Sequence, residues 1–326
     1  MCCLGIESTA HTFGASVVRD RKVLSNEKDS YTTETGGMIP AKLSEHHVSV
    51  AYQVIENALS KAGVSMSDID IIAFSRSPGI GHALRIGAVA ARSLAALHHL
   101  PLVGVNHCIA HLEIGRLLTD AKDPVLLYAS GANTQIIAYE AGKYRIFGET
   151  LDNGVGNVLD AFARQIGLGF PGGPKIAHLA EKGEEYIELP YTVKGMDVSF
   201  SGLLTHVLQK YESGKYTIED LCYSFQETIF AMLTEVTERA LSHCGKSEVL
   251  LGGGVACNRR LQEMMRIMCD ERGASAHILE NQFNVDNAAM IAWTGIQMYV
   301  AGETVDIPSA SIQPYLRTDQ VDVTWR

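Results

Sequence analysis

The segment Asn106-His107-Cys108-Ile109-Ala110-His111 holds the sharpest chemical signal in the chain. Histidines four apart lie on one face of a helix, so both imidazoles can reach a single divalent ion. The bland alternative is a pair of helix-start histidines satisfied by carbonyls, and with twelve histidines such pairs arise by chance. The zinc-peptidase pattern H-E-x-x-H is not met, because Cys108 stands where its general-base glutamate belongs. A third ligand has to come from elsewhere. Asp286, in Asn284-Val285-Asp286-Asn287-Ala288-Ala289-Met290, is a candidate, and it also fits an ordinary N-cap at the start of an apolar helix. The sequence leaves both readings open.

Small residues supply a second chemistry. A buried strand, Val249 to Leu251, runs into Gly252-Gly253-Gly254 with a helix following from about Asn258. Glycines there let a flat group approach the backbone, or they serve a turn that needs positive φ. The turn Tyr128-Ala129-Ser130-Gly131-Ala132-Asn133-Thr134 joins two strands with hydroxyls and amides that suit phosphate oxygens, and Glu7-Ser8-Thr9-Ala10-His11-Thr12 has the same character. Gly167 to Pro174 fits the bare G-x-G-x-x-G pattern, but it follows a helix and contains Pro171, so a dinucleotide fingerprint is rejected. A loop closing over a ligand is preferred, with Asp160 as a ribose or base contact. Gly245-Lys246-Ser247 precedes its strand, and Ala240 stands where the first P-loop glycine belongs, which excludes a P-loop.

Two segments look like one supersecondary unit used twice. Each reads strand, small-polar turn, strand, hairpin, strand: first from Cys3 with a hairpin at Asp20-Arg21-Lys22, then from Val125 with a hairpin at Ala141-Gly142-Lys143. Alternating helices and strands follow each unit, which indicates α/β architecture with partly parallel sheets. The predicted fold is a duplicated actin-like ATPase or sugar-kinase (ASKHA) α/β fold, with a nucleotide and metal cleft between two lobes. The expected division is 1–122 and 123–326, with a helical insertion around 151–245.

Composition bounds the partners. There are 37 acids against 27 Lys and Arg, a formal charge of −10, with 46% hydrophobic residues. Disorder is excluded at this hydrophobicity. The most apolar stretch, Ile86 to Leu97, contains Arg92 and falls short of the ~20 residues a membrane span needs. Seven scattered cysteines without a CxxC pair suit reduced thiols, and no signal-peptide pattern opens the chain, so a soluble, cytoplasmic protein is predicted. From Ile71 to Leu112 there is no acid, while Arg76, Arg85, Arg92 and five histidines occur. This is either a buried helix with incidental arginines or a local anion-attracting face.

LGIESTAHTFG, PGIGHALRIG, VNHCIAHLEIG, LYASGANTQ, DNGVGNVLDAFAR, GFPGGP, FSGL, FQETIFAML, LGGGVACNRRL and DNAAMIAWTG occur in order along the chain. Together they resemble the tRNA N6-adenosine threonylcarbamoyltransferase family, the bacterial TsaD protein and the KEOPS-complex catalytic subunit. His11, where the bacterial branch usually has an acid, makes the chain similar to the archaeal and eukaryotic branch. The resemblance implies transfer of a threonylcarbamoyl group from threonylcarbamoyl-adenylate to N6 of the adenosine 3′ of the anticodon. The tRNAs are those reading codons that begin with A, and AMP is released. It implies His107, His111, Asp286 and Tyr128 as metal contacts, with iron preferred and zinc also fitting. Tyr128, Ala129, Ser130, Gly131, Ala132, Asp160, Gly173 and Asn258 match adenylate-binding positions. Two positions differ from the family pattern: Ala132 replaces a glycine, bringing a methyl group near the ligand, and Ala177 replaces an acid, so no ribose contact carries over there. The implied partners are tRNA, a small atypical kinase and accessory KEOPS subunits, with no membrane. The acidic balance then predicts weak tRNA binding by this chain alone. A metal-dependent peptidase, an ATP-hydrolysing actin-like switch and a non-catalytic nucleotide-binding scaffold are the rival readings.

Overall fold

The computed structural model describes residues 1–33 and 38–326. The first sheet is built from β1 (Cys2–Glu7), β2 (Thr12–Arg19), β3 (Lys22–Val23) and β4 (Glu27–Ser30). After α1 (Pro40–Ala62) come β5 (Ile71–Ser77), α2 (Gly81–His98), β6 (Leu102–Asn106) and α3 (His107–Leu118). The second sheet starts with β7 (Val125–Ala129), β8 (Thr134–Glu140) and β9 (Lys143–Glu149). A largely helical stretch follows: α4 (Val155–Gln165), α5 (Gly173–Ala180), the small hairpin β10 (Val193–Lys194) and β11 (Asp197–Val198), α6 (Ser201–Glu212) and α7 (Ile218–Cys244). The chain returns to the sheet through β12 (Glu248–Gly252), α8 (Arg259–Glu271) and β13 (Ser275–Ile278), then ends with α9 (Asn281–Asn284) and α10 (Ala288–Val300).

The strand orders β3-β2-β1-β5-β6 and β9-β8-β7-β12-β13 are the same topology used twice. In each, a central strand pairs antiparallel with its hairpin partner and parallel with the strand that follows a helix. The repeat expected from the two hairpin-led units is therefore present in the hydrogen-bond pattern. The first unit's third strand is only two residues long, and the polar Glu27–Ser30 supplies the rest by pairing with Thr12 to Ala15.

Helix α10 is apolar all round and is buried accordingly. It packs across β1, β2 and β5, so the last helix of the chain covers the first sheet. Gly5 permits this contact: a Cβ there would lie 2.5 Å from both Ala288 O and Ala292 N. Gly5→Ala is expected to destabilise the fold by about 3 kcal/mol through overpacking. An unchanged urea midpoint would contradict that contact.

Helix α1 clamps the first turn. His47 is buried and its Nε2 lies 3.0 Å from Ala10 O, which can only accept, so the proton sits on Nε2. His47 Nδ1 is then left as an acceptor, 3.1 Å from His46 Nδ1, and His46 Nε2 lies 2.9 Å from Asp29 Oδ1. Burial pushes His47 down to about 4. The unfolded chain binds this proton near pH 6.5 and the folded chain does not. Stability is thus complete above pH 6.5 and falls as pH drops toward 4, by about 3 kcal/mol at most. His47→Asn is expected to flatten the loss of unfolding free energy between pH 7 and 4.5; equal slopes would refute the assignment.

Candidate metal centre

Strand β6 ends at Asn106, whose side-chain oxygen accepts from Cys108 N and Ile109 N and so starts α3. That cap points the first two turns of α3, with His107 and His111, into the space between the sheets. Tyr128 enters from β7. Asp286 comes from the turn before α10. It is not the cap of that helix: Asn287 takes the N-cap and accepts from Met290 N at 3.1 Å, leaving the Asp286 carboxylate free.

Asp286 Oδ1 lies 3.3 Å from His107 Nε2 and 3.7 Å from His111 Nε2, and Tyr128 OH lies 2.9 Å from His107 Nε2. The donor atoms of His107, His111 and Asp286 all fall within 4.8 Å of one another. Such spacings fit ligands sharing one ion at ~2.0–2.2 Å bond lengths. His111 decides the fit: it is fully buried, and neither ring nitrogen has a hydrogen-bond partner. A native buried imidazole with both nitrogens orphaned is costly unless an ion completes it. The residues present therefore suit a divalent metal with nitrogen and oxygen ligation.

The centre has a backing that the sequence reading leaves inside a polar turn. Glu7 is buried at the end of β1, and its Oε2 accepts from His107 Nδ1 at 3.0 Å. Its Oε1 accepts from Thr9 N at 2.6 Å and Thr9 Oγ1 at 2.5 Å. With Nδ1 as donor, Nε2 is the nitrogen left for an ion, which would take the place of the Nε2 proton. Burial opposes a charge on His107, but Tyr128, Glu7 and Asp286 outweigh it and hold the imidazole well above its usual value. Burial likewise opposes an ionised Asp286, and His107 more than offsets that, holding the carboxyl well below its usual range. Burial pushes His111 down and the Tyr128 phenol up. Lys28, on β4, is also unremarked in the sequence. Burial lowers it, while the fields of Asp286 and Cys257 draw it up.

Tyr128 and Ala129 lead straight into the second turn. There Ser130 Oγ donates to Asn133 O, while the Ser130 and Gly131 carbonyls accept from Gly156 N and Asn157 N of α4. Among the described residues, no partner is found for the N–H groups of Gly131 and Ala132, both exposed. Gly253 has φ +93°, and a Cβ there would lie 2.3 Å from Ala129 O, whereas Gly254 faces open space. Glycine thus serves the turn at Gly253 and leaves room at Gly254. Asp160 accepts from Gly172 N at 2.7 Å, so one carboxylate oxygen braces the loop that leads to Gly173, and burial raises its carboxyl. Asn258 caps α8, accepting from Arg260 N and Leu261 N, and donates to Gln226 Oε1 at 2.8 Å.

Two repeated sheets with a histidine–carboxylate cluster between them define an actin-like α/β protein with a site fit to hold a divalent ion. The solved structure of HypF from T. kodakarensis superposes on 92% of the chain, and on 48% of its own, with TM-score 0.66 at 14% identity. The activator of 2-hydroxyisocaproyl-CoA dehydratase from Clostridium difficile covers 93% and 97%, with TM-score 0.58 at 12% identity. These likenesses speak to the fold alone. Residues 22–293 match the family described as TsaD, tRNA N6-adenosine threonylcarbamoyltransferase, and the chain belongs to that family. A protein of that name from Thermococcus gammatolerans is 55% identical over the whole of both chains. One from Danio rerio is 49% identical over 99% of this chain and 98% of its own. A probable bifunctional tRNA threonylcarbamoyladenosine biosynthesis protein from Methanosarcina mazei is 51% identical over 99% of this chain and 59% of its own.

Proposed function

We propose that this chain transfers a threonylcarbamoyl group from threonylcarbamoyl-adenylate to N6 of the adenosine 3′ of the anticodon. One N–C bond forms as the acyl–phosphate bond breaks, with AMP and a proton released. The observation that carries the reading is the convergence of His107, His111, Asp286 and Tyr128 beside the unpartnered N–H groups of Gly131 and Ala132, in a chain of this family. A bound ion, iron by preference, supplies Lewis-acid polarisation of an acyl or phosphate oxygen. His107, His111 and Asp286 hold it, with Tyr128 as a fourth contact. Glu7 keeps the His107 proton on Nδ1. The Gly131 and Ala132 amides face the phosphate. Asp160, Gly173 and Asn258 stand on the adenylate side, where two of the three also brace local structure.

A peptidase reading loses ground here. Cys108 is buried with its thiol pushed up by that burial, and both oxygens of Glu7 are already taken by donors. We place the lobe division at 1–122 and 123–326, with a helical insertion around 151–245 and with α10 crossing back to cover the first sheet. A cytoplasmic location, a small atypical kinase and accessory KEOPS-type subunits complete the proposal; among the described residues no helix is long and apolar enough to cross a membrane. Mass spectrometry of tRNA incubated with this chain, threonine, bicarbonate, ATP, the adenylate-forming enzyme and partners tests it. Threonylcarbamoyl-adenosine should form. Its absence with every component present rejects the reading.

A further inference from the structure

The geometry points to Tyr315 as a stacking platform for an unpaired base flanking the target adenosine, on a cleft rim shared with His82 and Arg85. This rests on the transferase reading above and concerns how that site receives RNA. Tyr315 is 93% exposed. Tyr186 OH bonds Thr228, Tyr191 OH bonds Glu235 and Tyr216 lies under Lys210; Tyr52 and Tyr211 are also exposed, and Tyr315 is the most exposed tyrosine among the described residues. Tyr315 has no such partner among the described residues.

Its backbone is held firmly. Gln313 N donates to Arg76 O at 2.9 Å, Gly79 N donates to Pro314 O at 3.2 Å, and Leu316 N closes a turn onto Gln313 O at 3.1 Å. Arg317, the next residue but one, bonds Glu149 on the other sheet at 2.9 Å. An aromatic ring presented on an ordered strap binds with little further loss of freedom.

The strap is also close to the chemistry. Gly79, which holds Pro314, is pressed on Thr9: a Cβ at Gly79 would lie 2.6 Å from Thr9 O, and Ile80 N donates to that oxygen at 2.8 Å. Thr9 Oγ1 in turn lies 3.2 Å from His107 Nδ1. Two residues, Gly79 and Thr9, therefore link the strap to the metal cluster.

Charge selects the occupant. A chain of net charge −10 repels RNA over most of its surface, so RNA must approach where acids are missing. No acid occurs from 71 to 112 or from 307 to 318. These two stretches meet where Pro314 packs 3.6 Å from the Cβ position of Gly81. One turn along α2, His82 and Arg85 are exposed, and no described acid pairs with either. Unpaired loop bases stack on such aromatics, while neighbouring cations meet the phosphates.

The test measures tRNA kinetics with synthetic threonylcarbamoyl-adenylate, in the partner mixture that supports wild-type transfer. Tyr315→Ala should raise the tRNA KM about 10- to 100-fold, with kcat within about twofold. Tyr315→Phe and Tyr315→Trp should stay within about threefold of wild type. Arg85→Gln should reduce the salt slope of tRNA binding by about one, and Tyr315→Ala should leave it unchanged. A stem-loop carrying 4-thiouridine 5′ of the target adenosine should photo-crosslink to the Tyr315 peptide of the wild-type chain. An unchanged KM in Tyr315→Ala, equal losses in the alanine and phenylalanine variants, or crosslinks confined to other peptides would each overturn the inference. No product from wild type would instead remove the transferase reading on which it stands.

Discussion

Replacing His107 by alanine is expected to cut transfer from synthetic threonylcarbamoyl-adenylate by about a thousandfold or more. His107 is the hub of the cluster, since its Nε2 faces both Asp286 at 3.3 Å and Tyr128 OH at 2.9 Å. Without that nitrogen, His111 and Asp286 retain only two of the protein donors, and Tyr128 loses its hydrogen-bond partner. Metal content should fall from about one ion per chain toward zero, read by elemental analysis of the purified protein. Because a buried imidazole also fills space, His107→Gln provides a volume control with the same expected loss of metal. Wild-type transfer by either variant would end the case for a metal role. Loss of transfer with the ion retained would move the role of His107 from the metal to the substrate.

The topology was legible because each lobe opens with short apolar runs broken by turn residues, and that pattern survives low identity between the halves. The exceptions have physical causes. Glu27–Ser30 carries no apolar signal and pairs with β2 through its backbone, with Thr12 Oγ1 and Ser30 Oγ bonded across the pair at 3.0 Å. Helices α5 and α6 are short, and the first opens on Gly173-Pro174, so neither shows a long helical period. The return of α10 to the first sheet depends on Gly5, far away in sequence. In the site, His107 and His111 could be paired because helix geometry is local. Asp286 could not be separated from a cap, because Asp286 and Asn287 are both capping types and only the backbone decides which one caps. Glu7 was hidden for another reason: its partner lies 100 positions along the chain, and next to it stand the small polar residues of an ordinary turn.

Glu7 yields the second large effect. Three donors converge on its two oxygens: Thr9 N, Thr9 Oγ1 and His107 Nδ1. A carboxylate only accepts, so it satisfies all three and fixes the proton of His107 on Nδ1. The amide of Glu7→Gln has one accepting oxygen and one NH2. If the oxygen turns to Thr9, the NH2 faces His107 Nδ1 and drives the proton to Nε2, the nitrogen that must stay free for a metal. If the oxygen turns to His107, the NH2 meets the two Thr9 donors inside a fully buried pocket. Either way the near-isosteric change should weaken divalent-ion affinity about 100-fold, as loss of a carboxylate behind a ligating histidine does. Ion titration of the apo protein reads this directly, and saturating metal should restore most of the transfer rate. His107→Ala should show no such rescue. An unaltered ion affinity in Glu7→Gln would mean that the His107 tautomer is set by Tyr128 and Asp286, with Glu7 serving only to hold Thr9.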